Sequence, residues 1–272
     1  MPELPEVESV RSSLSPLIGA MIEPLHTSKF PRFKDASSAS GVVSGVARRG
    51  KWLICGLIYP DRPDLDLVAH LGMTGRFLLA PAPVDLPHLH AAWRVDGGPI
   101  GVSWLGFADP RRFGRLTLVP AGNYASLPGL ASLGPEATDA TAAAASLATA
   151  RRSNRPVKAV LLDQTVLAGA GNIYCDEALF DARVRPDRPA SSLTPVECRR
   201  ISRALAASLA TAINNGGTTF RDYRRPDGTR GDNQKRLRCY GRANEPCLRC
   251  STPLSSLKVA GRTSTLCLVC QR

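Results

Sequence analysis

The sequence predicts an α+β chain: an amino-terminal β-sandwich with a flanking helix, then a mainly helical half, then a short segment that a metal organises in place of a core. Three observations carry this prediction. From about Met21 to Val119 the chain is written in short β-rich runs cut by Pro, Gly and Asp turns. From about Ala131 the style changes to Ala-rich and helically spaced patterns. The last 26 residues hold two Cys-x-x-Cys pairs, Cys247/Cys250 and Cys267/Cys270.

Taken in order, Val7, Val10, Leu14 and Leu17 fall at helical spacing, with Pro5 suited to a first turn and Gly19 to a stop, which predicts a helix over Pro5 to Leu17. The strand runs follow at Val42-Val43, Trp52-Leu53-Ile54, Leu67-Val68, Phe77-Leu78-Leu79, Trp93-Arg94-Val95 and Arg115 to Leu118. Helices are then predicted at Ala137 to Ala150, Val157 to Asp163, Ile173 to Ala182 and Pro195 to Ile213. The Ala-rich Thr138 to Ala150 stretch is low in complexity, but its helix preference marks a linking helix and not a loose tether. The domains so read are 1–130, 131–236 and 237–272.

With 43% hydrophobic and 21% charged residues in 272, the chain excludes disorder as its main state. Its longest apolar stretch, Trp52 to Tyr59, is far short of the ~18 residues of a membrane span, and its first residues are acidic where a signal peptide is basic. The expectation is a protein neither membrane-spanning nor secreted. Lys+Arg 35 against Asp+Glu 23 gives a net charge of +12, a balance that favours a polyanionic partner, nucleic acid first. From Gly217 onward twelve Lys/Arg face only four Asp/Glu, so the charge is concentrated at the carboxyl-terminal end. A solvated basic face is the plain alternative.

Eight cysteines in a reducing compartment argue against a disulfide framework. The two Cys-x-x-Cys pairs have the spacing at which two tight knuckles offer four thiolates to a tetrahedral Zn2+. Four thiolates close the coordination sphere, so the ion is structural, and its binding energy folds a segment poor in large apolar residues. Cys55, Cys175, Cys198 and Cys239 lack the pattern and read as packing residues. The tightest turn of the helical half, Ala168-Gly169-Ala170-Gly171-Asn172, precedes a helix, where backbone N–H groups and the Asn172 amide can grip a phosphate. Close helix packing would also explain those glycines.

Several motifs occur together along the whole chain: Pro2-Glu3-Leu4-Pro5-Glu6, Arg49-Gly50-Lys51, His70-Leu71-Gly72-Met73-Thr74-Gly75, Asp109-Pro110-Arg111-Arg112-Phe113-Gly114, Gly171-Asn172-Ile173-Tyr174, Tyr240-Gly241-Arg242 and the cysteine cluster. In order and spacing they resemble the formamidopyrimidine-DNA glycosylase family. The resemblance implies a two-sided β-sandwich, a helix-two-turn-helix domain and a β-hairpin zinc finger. It also implies a bifunctional DNA glycosylase and apurinic/apyrimidinic lyase acting on oxidised purines in duplex DNA, a monomer in the bacterial cytoplasm, held at the nucleoid through DNA.

By the same resemblance the initiator Met1 is removed and the freed amine of Pro2 is the nucleophile. Glu3 is the adjacent general acid/base, Lys51 aids catalysis at the phosphate near the lesion, and Arg262 completes the catalytic set. His70, Arg112 and Asn172, with Arg262, grip phosphates that flank the damaged nucleotide. Met73, Arg111 and Phe113 fill the gap left by the extruded base. For Met73, Phe113 and His70 the plain alternative is burial in a core, and for Glu6 it is helix capping alone. An endonuclease VIII-type enzyme for oxidised pyrimidines is the nearest rival, with Leu4 and the Met73/Arg111/Phe113 set favouring the purine branch. A non-catalytic zinc-ribbon DNA-binding protein is the rival from another class. Two positions depart from the family pattern. In the lesion loop near 220–236, Gly231-Asp232-Asn233-Gln234 lacks the aromatic residue usual before Gln, and Leu266 stands where the zinc hairpin usually has a ring.

Overall fold

Glu3 and Glu6 start the first helix. Glu3 is the N-cap of α1 (Leu4–Leu14), Glu6 is its third helical residue, and the two form a capping box in which Glu6 Oε2 accepts the Glu3 amide at 2.7 Å. Pro5 sits in the first turn, where no intrahelical N–H is lost. Val7, Val10 and Leu14 point into the core, and a 3-10 turn at Ser15–Leu17 adds Leu17, so the α-helix ends one turn short of the predicted Leu17. The structure is a computed structural model that describes residues 2–219 and 223–272. It divides into two units, Met1–Ala131 with Asn215–Asp232, and Ser132–Asn214 with Asn233–Arg272.

The first unit is built on β1 (Met21–Thr27), β2 (Gly41–Arg49), β3 (Trp52–Ile58), β4 (Leu65–His70), β5 (Arg76–Ala80), β6 (Leu89–Asp96), β7 (Trp104–Ala108) and β8 (Arg115–Pro120). All pairings are antiparallel, in the order β5-β7-β6-β1-β2-β3-β4-β8. The sandwich is therefore one continuous sheet folded over. Leu67 and Ala69 of β4 line the same small apolar cavity as Phe77 of β5 and Leu105 of β7, although five strands lie between β4 and β5 in the order. Val7, Val10, Leu14 and Leu17 close that core. Burying each such side chain contributes roughly 1.5–3 kcal/mol.

Two strands escaped the sequence reading. β1 contains Pro24, which the sheet tolerates because β1 runs beside β2 only at Met21 and Ile22 and a bulge falls between Pro24 and His26. β7 is buried at every position, so it shows no alternation.

The second unit holds α3 (Ala140–Ala150), α4 (Val157–Leu161), α5 (Asn172–Asp181) and α6 (Pro195–Asn214), after the short α2 (Pro128–Ala131) has ended the first. Asp139 caps α3 by accepting the Thr141 and Ala142 amides, each at 3.0 Å. Both α3 and α5 pack on α6. The zinc segment forms the hairpin β9 (Ser255–Val259) and β10 (Arg262–Leu266), turned at Ala260 and Gly261, both with positive φ.

Residues 215–232, read from sequence as part of the helical domain, group with the first unit. Hydrogen bonds explain why: the Thr218 amide donates to Glu6 Oε1 at 2.7 Å, the Tyr223 hydroxyl to the Glu6 carbonyl at 3.1 Å, and the Leu79 amide of edge strand β5 to the Pro226 carbonyl at 2.9 Å. Among the described residues no helix is long and apolar enough to cross a membrane.

Candidate active site and nucleic-acid interface

Chain ends usually fray, but this one is held from its second residue. Pro2 is buried, Glu3 is 3% exposed and Glu6 1%. Glu6 gives one carboxylate oxygen to the Glu3 amide and the other to Thr218, so a single side chain fixes the start of α1 and the segment 215–232. From sequence Glu6 reads as a helix cap; the bond to Thr218, 212 residues away, could not be seen there. Met1 lies outside the described residues, as do Phe220, Arg221 and Asp222 of the lesion loop. In the described part of that loop the Gly231 amide donates to Thr219 Oγ1 at 3.0 Å, and Asn233 is buried.

Lys51 lies at the turn between β2 and β3. It is 7% exposed, which excludes the freely solvated lysine that its position at a strand start would suggest. Glu8 of α1 braces this hairpin: its carboxylate accepts Arg48 Nε at 2.9 Å, and Arg48 Nη1 donates to the Gly50 carbonyl at 2.9 Å. Across the next pair of strands His70 faces Trp52, ring centroids 4.7 Å apart. Burial, together with Lys51 and Arg115, pushes the His70 imidazole down to about 4. It is therefore neutral at pH 7. Its Nδ1 accepts the Gly72 amide at 3.1 Å, so the proton resides on Nε2, a donor suited to a phosphate oxygen.

Met73 and Phe113 are 38% and 47% exposed, which removes the core alternative for both. They sit on two turns locked to each other. Gly72 has φ +60, and a Cβ there would lie 2.5 Å from the Phe113 carbonyl carbon, so only glycine lets the turns meet. Asp109, wholly buried, accepts the Thr74 hydroxyl at 2.5 Å on one oxygen and the Gly114 amide at 2.7 Å on the other. The Arg111 amide donates to Thr74 Oγ1, and its guanidinium lies 4.8 Å from the Phe113 ring centre. Arg112 has a left-handed φ of +56 and rests on Phe30 at 3.9 Å. The platform thus presents a thioether, a guanidinium and a ring at fixed places, and Asp109, which holds it, was not singled out from sequence.

In the second unit, Asn172 opens α5 behind Gly171, and its side-chain amide donates to the Thr263 carbonyl at 3.3 Å, beside exposed Arg262 on the hairpin. The structure thus brings these two predicted residues together. The adjacent carboxylates of α5 anchor the hairpin and the segment 238–240 that precedes it. Asp176 accepts Lys158 Nζ at 2.6 Å and the Thr265 amide at 3.0 Å, and Lys158 also donates to the Ser264 hydroxyl and the Thr263 carbonyl. Burial pushes Asp176 up to about 6, against the opposing pull of Lys158 and the bonds from Thr265 and Ser264. Glu177 accepts three successive amides, Arg238, Cys239 and Tyr240, at 2.7–2.9 Å. Two acidic residues inside an apolar helix were the available signal for this anchor.

The sulfurs of Cys247, Cys250, Cys267 and Cys270 lie within 4.8 Å of one another, with 4.0 Å between Cys247 and Cys270 and 3.5 Å between Cys250 and Cys267. Tetrahedral Zn–S bonds of about 2.3 Å place sulfurs about 3.8 Å apart. Donor set and spacing fit one structural Zn2+.

Family models match along the chain: the formamidopyrimidine-DNA glycosylase N-terminal domain over residues 1–116, the H2TH domain of the same glycosylases over 133–224, and the zinc finger found in FPG and IleRS over 244–272. The formamidopyrimidine-DNA glycosylase of Thermus thermophilus is 45% identical over 100% of this chain and 98% of its own. The crystal structure of that organism's MutM (Fpg) protein superposes with a TM-score of 0.88, covering 99% of this chain and 98% of that one. The Lactococcus lactis Fpg, in complex with DNA containing an abasic site, gives 0.85 at 32% identity, with both chains fully covered. A MutM bound to carbocyclic 8-oxo-G DNA gives 0.83 at 31%, again over both full chains. This chain belongs to the formamidopyrimidine-DNA glycosylase family.

Proposed function

We propose that this DNA glycosylase excises oxidised purines, chiefly 8-oxoguanine and formamidopyrimidines, from duplex DNA, and cleaves the strand through the same covalent intermediate. The observation that carries this reading is the locked amino terminus: Pro2 buried, Glu3 at a helix N-cap beside it, and Glu6 holding both to the 215–232 segment.

Once Met1 is removed, Pro2 is a secondary amine titrating near ~8, so a useful fraction is unprotonated at neutral pH. Its nitrogen attacks C1′ of the damaged nucleotide and the base leaves with a proton. The resulting iminium makes the C2′ proton acidic. Its removal expels the 3′ phosphate, and a second elimination expels the 5′ phosphate. Glu3 is the carboxylate next to the reacting nitrogen and moves these protons. Lys51, His70 and Arg112, with Asn172 and Arg262, take the flanking phosphates, which positions the strand without reading sequence. Met73, Arg111 and Phe113 occupy the space the extruded base leaves. Zn2+, held by Cys247, Cys250, Cys267 and Cys270, supplies folding energy to the hairpin that carries Arg262.

The neighbouring MutM complex with carbocyclic 8-oxo-G DNA supports the purine reading. The protein acts as a monomer in the bacterial cytoplasm, held at the nucleoid by DNA. The test is single-turnover cleavage of matched duplexes carrying 8-oxoguanine or an oxidised pyrimidine. Faster release of 8-oxoguanine, with phosphate on both new ends, is expected. Preference for the pyrimidine would assign the chain to the endonuclease VIII-type chemistry instead.

A further inference from the structure

A second surface of the zinc-bearing unit lies at the far end of α5 from Asn172. The helix is ten residues long, about 15 Å. There a concavity of about 500 Å3 is lined by Arg183, Glu197, Arg200, Arg249, Val269, Cys270 and Arg272. Four arginine side chains thus share the lining with one side-chain carboxylate, which is committed, and with the main-chain oxygen of Arg272, which accepts Arg188 Nη1 at 2.9 Å. Glu197 binds Arg188 at 2.9 Å, and against the opposing effect of burial the bonds from Arg188 and Thr194 hold it down to about 2. Arg249 is engaged by Asp181 at 3.0 Å and by the Phe180 carbonyl. The side chains of Arg183 and Arg200 make no hydrogen bond or ion pair among the described residues.

The rim is apolar. Val269 lines the concavity at 57% exposure, and its sequence neighbour Leu268 is 52% exposed. Leu248, next to Arg249, is 61% exposed, and Val196, next to Glu197, is 59% exposed. The first three sit inside the zinc knuckles, held out by the Cys-x-x-Cys geometry. Arg183 follows the C-cap Ala182 of α5 with φ +56, a position that glycine fills without strain.

We infer that this concavity is a docking site for an acidic segment of another protein, one in which carboxylates flank a large apolar side chain. Carboxylates pair with Arg183 and Arg200 in the fork geometry that guanidinium favours. The apolar side chain covers Val269. A phosphodiester backbone would satisfy the arginines and leave exposed Val269 in water, so this apolar residue of the lining favours a protein partner over a second DNA segment.

The test uses the full zinc-loaded chain and a fluorescent peptide of aspartates ending in phenylalanine, with an asparagine-for-aspartate peptide as control. The aspartate peptide is expected to bind in the micromolar range and the control at least about tenfold more weakly. Arg183→Gly, which relieves the left-handed backbone, and Arg200→Ala, on an exposed helix face, are each expected to weaken binding about tenfold. Both should leave single-turnover excision from a short lesion duplex unchanged. Equal binding of the two peptides, or undiminished binding by both variants, would overturn the inference. So would an undamaged duplex that displaced the peptide and itself depended on Arg200.

Discussion

His70 illustrates how burial decides a side chain's chemistry. With its imidazole pushed down to about 4 by burial, Lys51 and Arg115, and Nδ1 accepting from Gly72, it is set up as a neutral Nε2–H donor for the proposed phosphate contact. Its contribution to DNA affinity should therefore be flat from pH 7.5 to 5, measured as the difference between wild type and His70→Ala. A step near 6.5 in that difference would show that the ring is protonated in use. The sign for stability follows. The unfolded ring binds a proton near ~6.5 and the folded one only near 4, so His70 lowers stability progressively as pH falls through that window. Arg111 belongs to the same scale. Its guanidinium donors match the N3 and O2 acceptors of cytosine, whereas adenine presents a donor at N6. Discrimination of ~1–3 kcal/mol is reasonable for such a contact, roughly tenfold to a hundredfold faster excision opposite cytosine. Arg111→Ala should slow excision opposite cytosine and flatten that ratio, while Met73→Ala should slow extrusion with either partner. Retention of the full wild-type ratio by Arg111→Ala would remove the assignment.

Elements are where sequence reasoning both succeeded and stopped. Amphipathic α6 and the alternating strands are legible because one face of each is buried, so their period survives in the residue order. β1 and β7 are not, since a proline breaks one pattern and full burial erases the other. The cysteine cluster is legible because metal geometry demands a spacing. The supports of the site are invisible, because Asp109, Glu6 and the Lys158–Asp176 pair act through partners remote in sequence, 105 and 106 residues away for Lys158. The pair makes a prediction at this scale. Asp176→Asn leaves the buried Lys158 charge uncompensated and should cost about 3–5 kcal/mol, with loosening of β10 and weaker DNA binding, read from urea midpoints and affinity. Lys158→Met with Asp176→Leu should recover part of the stability, since an apolar pair removes the buried charge although the Thr265 amide loses its acceptor. An Asp176→Asn protein as stable as wild type would refute the anchoring role. Cys250→Ser should likewise lose Zn2+ and unfold the hairpin while the β-domain keeps its own melting transition. Active wild-type protein free of zinc by metal analysis would contradict that.

At the scale of the whole molecule, a chain with a net charge of +12 meets a polyanion with two kinds of residue. In the proposed mode of binding, cations and neutral donors hold phosphates, and the platform of Met73, Arg111 and Phe113 enters the base stack. The proposed reaction depends on one nitrogen, which becomes an amine only when Met1 is gone; while Met1 is attached, the Pro2 nitrogen is a tertiary amide and inert. The most direct measurement is borohydride trapping on abasic-site DNA with three proteins of verified amino terminus, followed by peptide mapping of the adduct. The mature protein should give a stable protein–DNA adduct at Pro2, whereas the Pro2→Gly and Met1-retaining proteins should give little or none with their folds intact. Undiminished trapping by the Met1-retaining protein, or an adduct mapped to a lysine, would contradict the account.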